Sequence, residues 1–279
     1  MGVFVLCSQI AFAQLGQRPL QQSSPSTSKA KSTARTQDFG PLSLPFWDDF
    51  SFETRDSLWV DFGAATISDG IGILPPTINV VSFNGLKADG TPYDPNDNLA
   101  TGFTDVLTSQ RIKMTEVPPA ERSTVYFSFF YQWRGHGEAP DPVDYLVVEF
   151  KEDDGDWIEI DRIQTDGTLD RTIFYPKIYQ VGAAYFHDEF QFRFRSHGRI
   201  SGPYDVWNID YVFLAKDRDA GDISFPDQAI TSKLSPLFGN YSAIPVKHFF
   251  NTKPLQAPSF GIYNLRKDRN EPDFGDPLS

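Results

Sequence analysis

FQFRFRSHGRISGPYDVWNIDYVFL, residues 190–214, decides the fold. Phe190, Phe192 and Phe194 alternate with Gln191, Arg193 and Arg195, the two-residue period of a strand with one buried face. Gly198, Gly202 and Pro203 then signal a loop. A second strand is expected beyond them, with Trp207, Ile209, Tyr211 and Phe213 on one face and Asn208 and Asp210 on the other. Together the two read as an aromatic-rich hairpin, which needs a second sheet to cover it.

Working outward, the same kind of segment recurs. Strands are expected over Phe46–Phe52, Val80–Phe83, Asp105–Met114, Thr124–Trp133, Tyr145–Phe150 and Trp157–Ile163. Residues 87–104 and 134–143 are Gly/Pro/Asp-rich and read as long loops. Thr124–Trp133 sets Val125, Phe127, Phe129, Tyr131 and Trp133 on one side but also carries Tyr126 and Phe130 on the other, so it belongs in the middle of a sheet covered on both faces. No stretch shows an apolar period of 3.6. Many short strands between turn signals predict an all-β, two-sheet antiparallel jelly-roll sandwich over residues 41–216.

Composition sets the bounds. Net charge is −12 over 279 residues, which argues against a nucleic-acid partner. The 25 phenylalanines favour strands over helices. Residues 2–13 form a short apolar run ending in Ala11-Phe12-Ala13, the pattern of a cleaved export signal over residues 1–13. That run is too short to span a bilayer. It also holds Cys7, the one cysteine, so the mature chain is expected to fold without disulfides. The polar stretch that follows, to residue 40, is too poor in apolar side chains to order itself and reads as a spacer. Residues 217–279, with recurrent prolines and isolated apolar islands, read as an extension packing on the sandwich or as the start of a further domain.

Taken as a set, Trp47-Asp48-Asp49-Phe50, the run FSFFYQWRGHGEAPDPVDYLVVEF at 127–150, FQFRFRSHG and DVWNIDYVFL resemble MAM-type and related concanavalin A-like jelly rolls. The resemblance covers about residues 44–216 and departs from animal MAM domains in lacking cysteines. With the leader and spacer, it is closer to exported surface proteins of Bacteroidota. It implies a Ca²⁺ shared by Asp49 and Asp210, with Asp48 and Asp205 as further donors, since Ca²⁺ takes six to eight oxygens. The alternative is that Asp49 and Asp210 cap turns or accept backbone N–H bonds.

Glu159-Ile160-Asp161-Arg162-Ile163-Gln164 is similar to the acid signature of jelly-roll glucanases, but position 164 is Gln. One carboxyl of the required pair is missing. An outer strand is the simpler expectation, with Ile158 and Ile160 inward and Glu159 and Asp161 in water. The loop histidines, His136 and His197 among them, are expected to be solvated. Ligand-stacking candidates are Tyr93, Trp133, Trp157 and Tyr204, with Arg193 and Arg195 as polar contacts; core or sheet-cover packing is the alternative for each aromatic. Asp56-Ser57-Leu58 matches a short O-glycosylation pattern. The expected function is an exported, non-enzymatic interaction or adhesion module whose partner is an envelope or surface protein. The alternatives are a lectin-like glycan-binding module and a divergent glycoside hydrolase.

Overall fold

In the computed structural model, which describes residues 40–51, 57–165, 167–223, 225, 228–239, 241, 243–249 and 255–265, alternation at Phe192–Arg199 is complete. Even-numbered positions are buried and odd-numbered ones half-buried. The leader, most of the spacer and Asp56 of the glycosylation triplet lie outside the described residues.

The strands in chain order are β1 (Phe46–Asp48), β2 (Trp59–Asp61), β3 (Thr66–Ser68), β4 (Val80–Phe83), β5 (Thr101–Ser109), β6 (Tyr126–Trp133) and β7 (Tyr145–Lys151). After them come β8 (Trp157–Ile163), β9 (Tyr175–Gln180), β10 (Phe192–Arg199), β11 (Trp207–Ala215), β12 (Gln228–Ile230) and β13 (Ile262–Asn264). One sheet runs β3-β4-β11-β6-β9, with β1 also paired to β11; the other runs β2-β5-β10-β7-β8. Every strand pairing is antiparallel. The fold is a two-sheet antiparallel jelly-roll sandwich. The described helix is a single α turn, Val246–Phe249, with three 3₁₀ turns elsewhere.

The expected 190–214 hairpin does not form. β10 hydrogen-bonds to β5 and β7, whereas β11 hydrogen-bonds to β4, β6 and β1. The two strands lie in opposite layers, and each layer supplies the cover the other requires. Between the layers Phe127 meets Phe192 at 4.5 Å and Phe150 at 5.4 Å between ring centroids. The crossing is tight: a side chain at Gly198 would place its Cβ 2.8 Å from Cγ of Asp205, and Asp205 itself has φ 61°.

Alternation along β11 also breaks. Tyr211 takes φ 51° and the register with β6 slips between Asp210 and Phe213. Val212 and Leu214 therefore enter the core beside Trp207 and Ile209, while Tyr211 and Phe213 turn to the outer side. A bulge accommodates one extra residue in this way. Two further differences have simple causes. β5 starts at Thr101, inside the span expected to be loop, because turn-forming residues hide a strand start. β9, not expected at all, contains Pro176 and pairs only with β6, an edge position that tolerates the missing N–H.

β6 sits between β11 and β9 and is covered on both sides. Its outer face meets the C-terminal extension, where Phe225 and Leu265 bury against Phe130 and Tyr211. Arg218, at 3% side-chain exposure, pins the start of that extension to Ser128 Oγ (2.9 Å) and the Tyr126 and Phe213 carbonyls (both 3.2 Å). No comparable apolar cluster covers the outer face of the five-stranded sheet among the described residues.

Candidate functional site

On that open face, strand alternation lines up the odd-numbered side chains of β7 and β10. Register sets Glu149 opposite Arg193 and Tyr145 opposite His197, and Phe103 of β5 opposite His197 on the other side. Glu149 is the hub. It accepts Arg193 Nε at 2.5 Å, Arg195 Nε at 2.8 Å and Arg195 Nη2 at 3.0 Å. Burial would raise its pKa, but the hydrogen bonds and charges of the two arginines outweigh that and hold the carboxyl below its ordinary value.

Each guanidinium also lies over a ring. Arg193 is 4.1 Å from the Trp157 centroid, Arg195 3.7 Å from Phe103 and Arg162 4.2 Å from Tyr145. His197 stacks on Tyr145 at 4.5 Å, nearly parallel, and meets Phe103 edge-on. It is part of the strand rather than a solvated loop histidine, and burial, with the Arg162 charge adding, lowers its pKa. The result is an ordered plate of aromatics and ionised groups in which Phe103 remains 43% exposed.

Of the aromatics singled out by sequence, Trp157 belongs to this plate, together with Arg193 and Arg195. Tyr204 lies near its end, 5.4 Å from the Arg199 guanidinium. Tyr93 is elsewhere, its hydroxyl donating to Asp105 at 3.2 Å. Trp133 is buried away from any ligand, 6% exposed within the core, with its indole N–H donating to the Leu169 carbonyl at 2.9 Å. Its parity with Phe127 and Phe129 turns it inward.

Sequence reading missed Phe103, Tyr145, His197, Arg162 and Glu149. Phe103 was hidden by the turn-rich residues before it. The odd-position alternation of Tyr145, Val147 and Glu149 was readable, but its alignment with β10 depends on strand pairing.

Strand β8 departs from the expected alternation. Register with β7 shifts between Val148 and Glu149, so Asp161 falls opposite Val148 and points inward, accepting from Lys177 and the Tyr179 hydroxyl at 2.8 and 2.7 Å. Glu159 stays outside in a two-point pair with Arg162 at 3.0 and 2.7 Å.

The four aspartates proposed as metal donors divide. Asp48 is fully buried and accepts the Trp59 indole N–H (2.7 Å) and the Phe50 N–H (3.0 Å). Asp49 directs its carboxylate to the Ser51 N–H and hydroxyl. Asp205 belongs to a separate group with Glu138, Asp141 and Asp144, where burial, reinforced by the charge of Asp144, pushes its pKa to about 6.

Asp210 is different. Burial pushes its pKa well above the usual value against the pull of the Thr77 (2.9 Å) and Tyr211 (2.6 Å) backbone N–H groups that it accepts, and no cationic side chain pairs with it among the described residues. Around the Thr77 hydroxyl lie both Asp210 carboxylate oxygens (2.9 and 3.1 Å) and the carbonyls of Asp49 (2.7 Å) and Asn79 (3.2 Å). One hydroxyl proton serves only one of these four acceptors. A carboxylate, two carbonyls and a hydroxyl suit a hard, oxygen-seeking cation. The donors come from backbone as much as side chain, and no group of three or more His, Cys, Asp or Glu is placed to hold a metal ion among the described residues.

Comparison with protein-family models gives no match, and comparison with curated proteins gives none either. Among solved structures, the chain is similar to the CBM22-1 xylan-binding domain of Paenibacillus barcinonensis Xyn10C, at 12% identity and TM-score 0.37, over 65% of this chain and 99% of that one. It is also similar to CBM27-1 of Caldicellulosiruptor saccharolyticus in complex with mannohexaose, at 12% identity and TM-score 0.37, over 63% and 98%. A third, the C-terminal family 22 carbohydrate-binding module of Clostridium thermocellum Xyn10B, has 10% identity and TM-score 0.26 over 61% and 91%. Likeness at this level does not extend to ligands, and the architecture stands on the strand pairing described above.

Proposed function

We propose that this protein is an exported, non-catalytic carbohydrate-binding module that uses the outer face of its five-stranded sheet. The carrying observation is the asymmetry of the two outer faces. One is covered by Phe225, Leu265 and Arg218, while the other presents Trp157 and Phe103 among fixed arginines and carboxylates. Sugars use that combination, stacking their apolar faces on rings while nearby polar groups set orientation. Isothermal calorimetry and a glycan array test the reading, with xylan and mannohexaose among the probes. Trp157→Ala and Phe103→Ala should each weaken binding by roughly tenfold or more, about 1.4 kcal/mol. A blank array with no heat from any glycan would overturn it.

A second reading, adhesion through protein contact, is favoured by one feature. Both faces of the Tyr145 ring are taken, by His197 and Arg162, and surfaces built of Tyr, Trp and Arg are typical of the energetic centres of protein interfaces. It predicts capture of an envelope protein that Trp157→Ala releases, with no glycan affinity. A structural Ca²⁺ at Asp210, held with the Thr77 hydroxyl and the Asp49 and Asn79 carbonyls, accompanies either reading.

A further inference from the structure

Resting on the glycan-binding reading, we propose that the ligand is an acidic glycan, one carrying carboxylate or sulfate groups, and that Arg193 is the residue that reads the anion. The first support is the local charge. On β7, β8 and β10 the outward ionised side chains are Lys151, Arg162, Arg193, Arg195 and Arg199 against Glu149 and Glu159, an excess of three positive charges on a chain whose net charge is −12. Carboxylates flank this region at the 152–156 turn and at Asp141, which pairs with Arg199 at 3.4 Å. Within the plate's strands Asp161 turns inward to Lys177 and Tyr179 and Asp105 is buried, which leaves Glu149 and Glu159 as the outward carboxylates. A neutral glycan has no use for such a field. An anionic one is drawn to it.

The second support is how the hydrogen bonds are spent. Glu149 is shared by two guanidinium groups, so one positive charge of the trio is left over. Arg195 uses Nε and a terminal nitrogen on Glu149, Arg162 uses both on Glu159, and Lys151 donates to Gln191. Arg193 engages Glu149 through Nε alone. Its two terminal nitrogens form a donor edge, at 20% side-chain exposure, and the group sits over the Trp157 ring, 4.1 Å from its centroid. A planar guanidinium fixed in this way meets a carboxylate or sulfate with two parallel hydrogen bonds. Because Glu149 and Trp157 already order it, little side-chain entropy is lost on binding.

The test uses the whole chain and three groups of polymers: polygalacturonate for carboxylate, chondroitin sulfate for sulfate, and xylan and mannan as neutral controls. Binding to at least one acidic polymer is expected, weakening steeply as NaCl rises from about 50 to about 500 mM. Arg193→Gln should cost roughly 10- to 100-fold for that polymer. Arg193→Lys should fall between, since it keeps the charge and loses the fork. Glu149 retains Arg195 in both variants, so the sheet should fold with an unchanged circular dichroism spectrum; if either variant fails to fold, the salt titration of the unaltered protein decides. Preference for polygalacturonate or for chondroitin sulfate identifies the anion. Equal, salt-insensitive binding of neutral and acidic polymers would overturn the anionic assignment and leave glycan binding standing. Binding to no polymer would overturn both.

Discussion

Asp105 shows how a single buried group sets a property of the molecule. Fully buried in β5, it accepts the Asn84 and Gly85 N–H groups and the Tyr93 hydroxyl, so it ties the turn after β4 to the opposite sheet. Burial raises its pKa to about 6 against the pull of those donors. An unfolded Asp loses its proton near pH 4. The native state therefore binds more protons between about pH 4 and 6, and stability falls as pH rises through that window. Asp205, also at about 6, adds to the slope. Urea unfolding should give a higher free energy at pH 4 than at pH 7, by up to about 3 kcal/mol from Asp105. Asp105→Asn should flatten the difference; equal stability of the unaltered protein at both pH values would contradict the assignment. None of this was legible beforehand. The sequence put Asp105 at the start of a strand, and its charge state depends on burial, which the fold supplies.

At the scale of elements, parity was readable and pairing was not. The inward sets on β6 and β10 were named from alternation alone. Five strands went unseen: β2, β3, β12 and β13, at three residues each, are too short to show a period, and β9 carries a proline. Bulges at Tyr211 and beside Glu149 reversed the expected facing of Tyr211, Phe213 and Asp161, because one extra residue shifts every later side chain to the other face. The extension reads from sequence as a tail packing on the sandwich or the start of a further domain, and its attachment falls on Arg218. That guanidinium makes five hydrogen bonds, to Ser128, Tyr126, Phe213 and both the carbonyl and carboxylate of Asp222. Arg218→Ala leaves buried acceptors unpaired and should cost about 3 kcal/mol. Limited proteolysis should then cut first between residues 217 and 225. An unchanged cleavage pattern and unchanged urea midpoint would show that the extension is held by its apolar contacts alone.

For the molecule as a whole, stability has to come from packing, since Cys7 is the sole cysteine. Phenylalanine supplies much of it: Phe127 alone meets Phe129, Phe150, Phe192 and Phe194. A cation at Asp210 would add a cross-link of another kind, joining the segment after β1, the loop before β4 and the middle of β11, with 133 residues separating Thr77 from Asp210. Millimolar Ca²⁺ should therefore raise the melting temperature, give a heat of binding in calorimetry, and lose both effects in Asp210→Asn. No shift and no heat would end that proposal. By itself the sequence determined that this chain builds strands and which side of most of them is apolar, because a two-residue period is a local property that hydrophobic burial enforces wherever the strand sits. Only the tertiary structure decided that β10 and β11 face each other across the core, and that Trp157, Arg193, Glu149 and Phe103 share one open plate. Those facts depend on which strands pair and in what register, and both are settled by contacts between residues far apart in the chain.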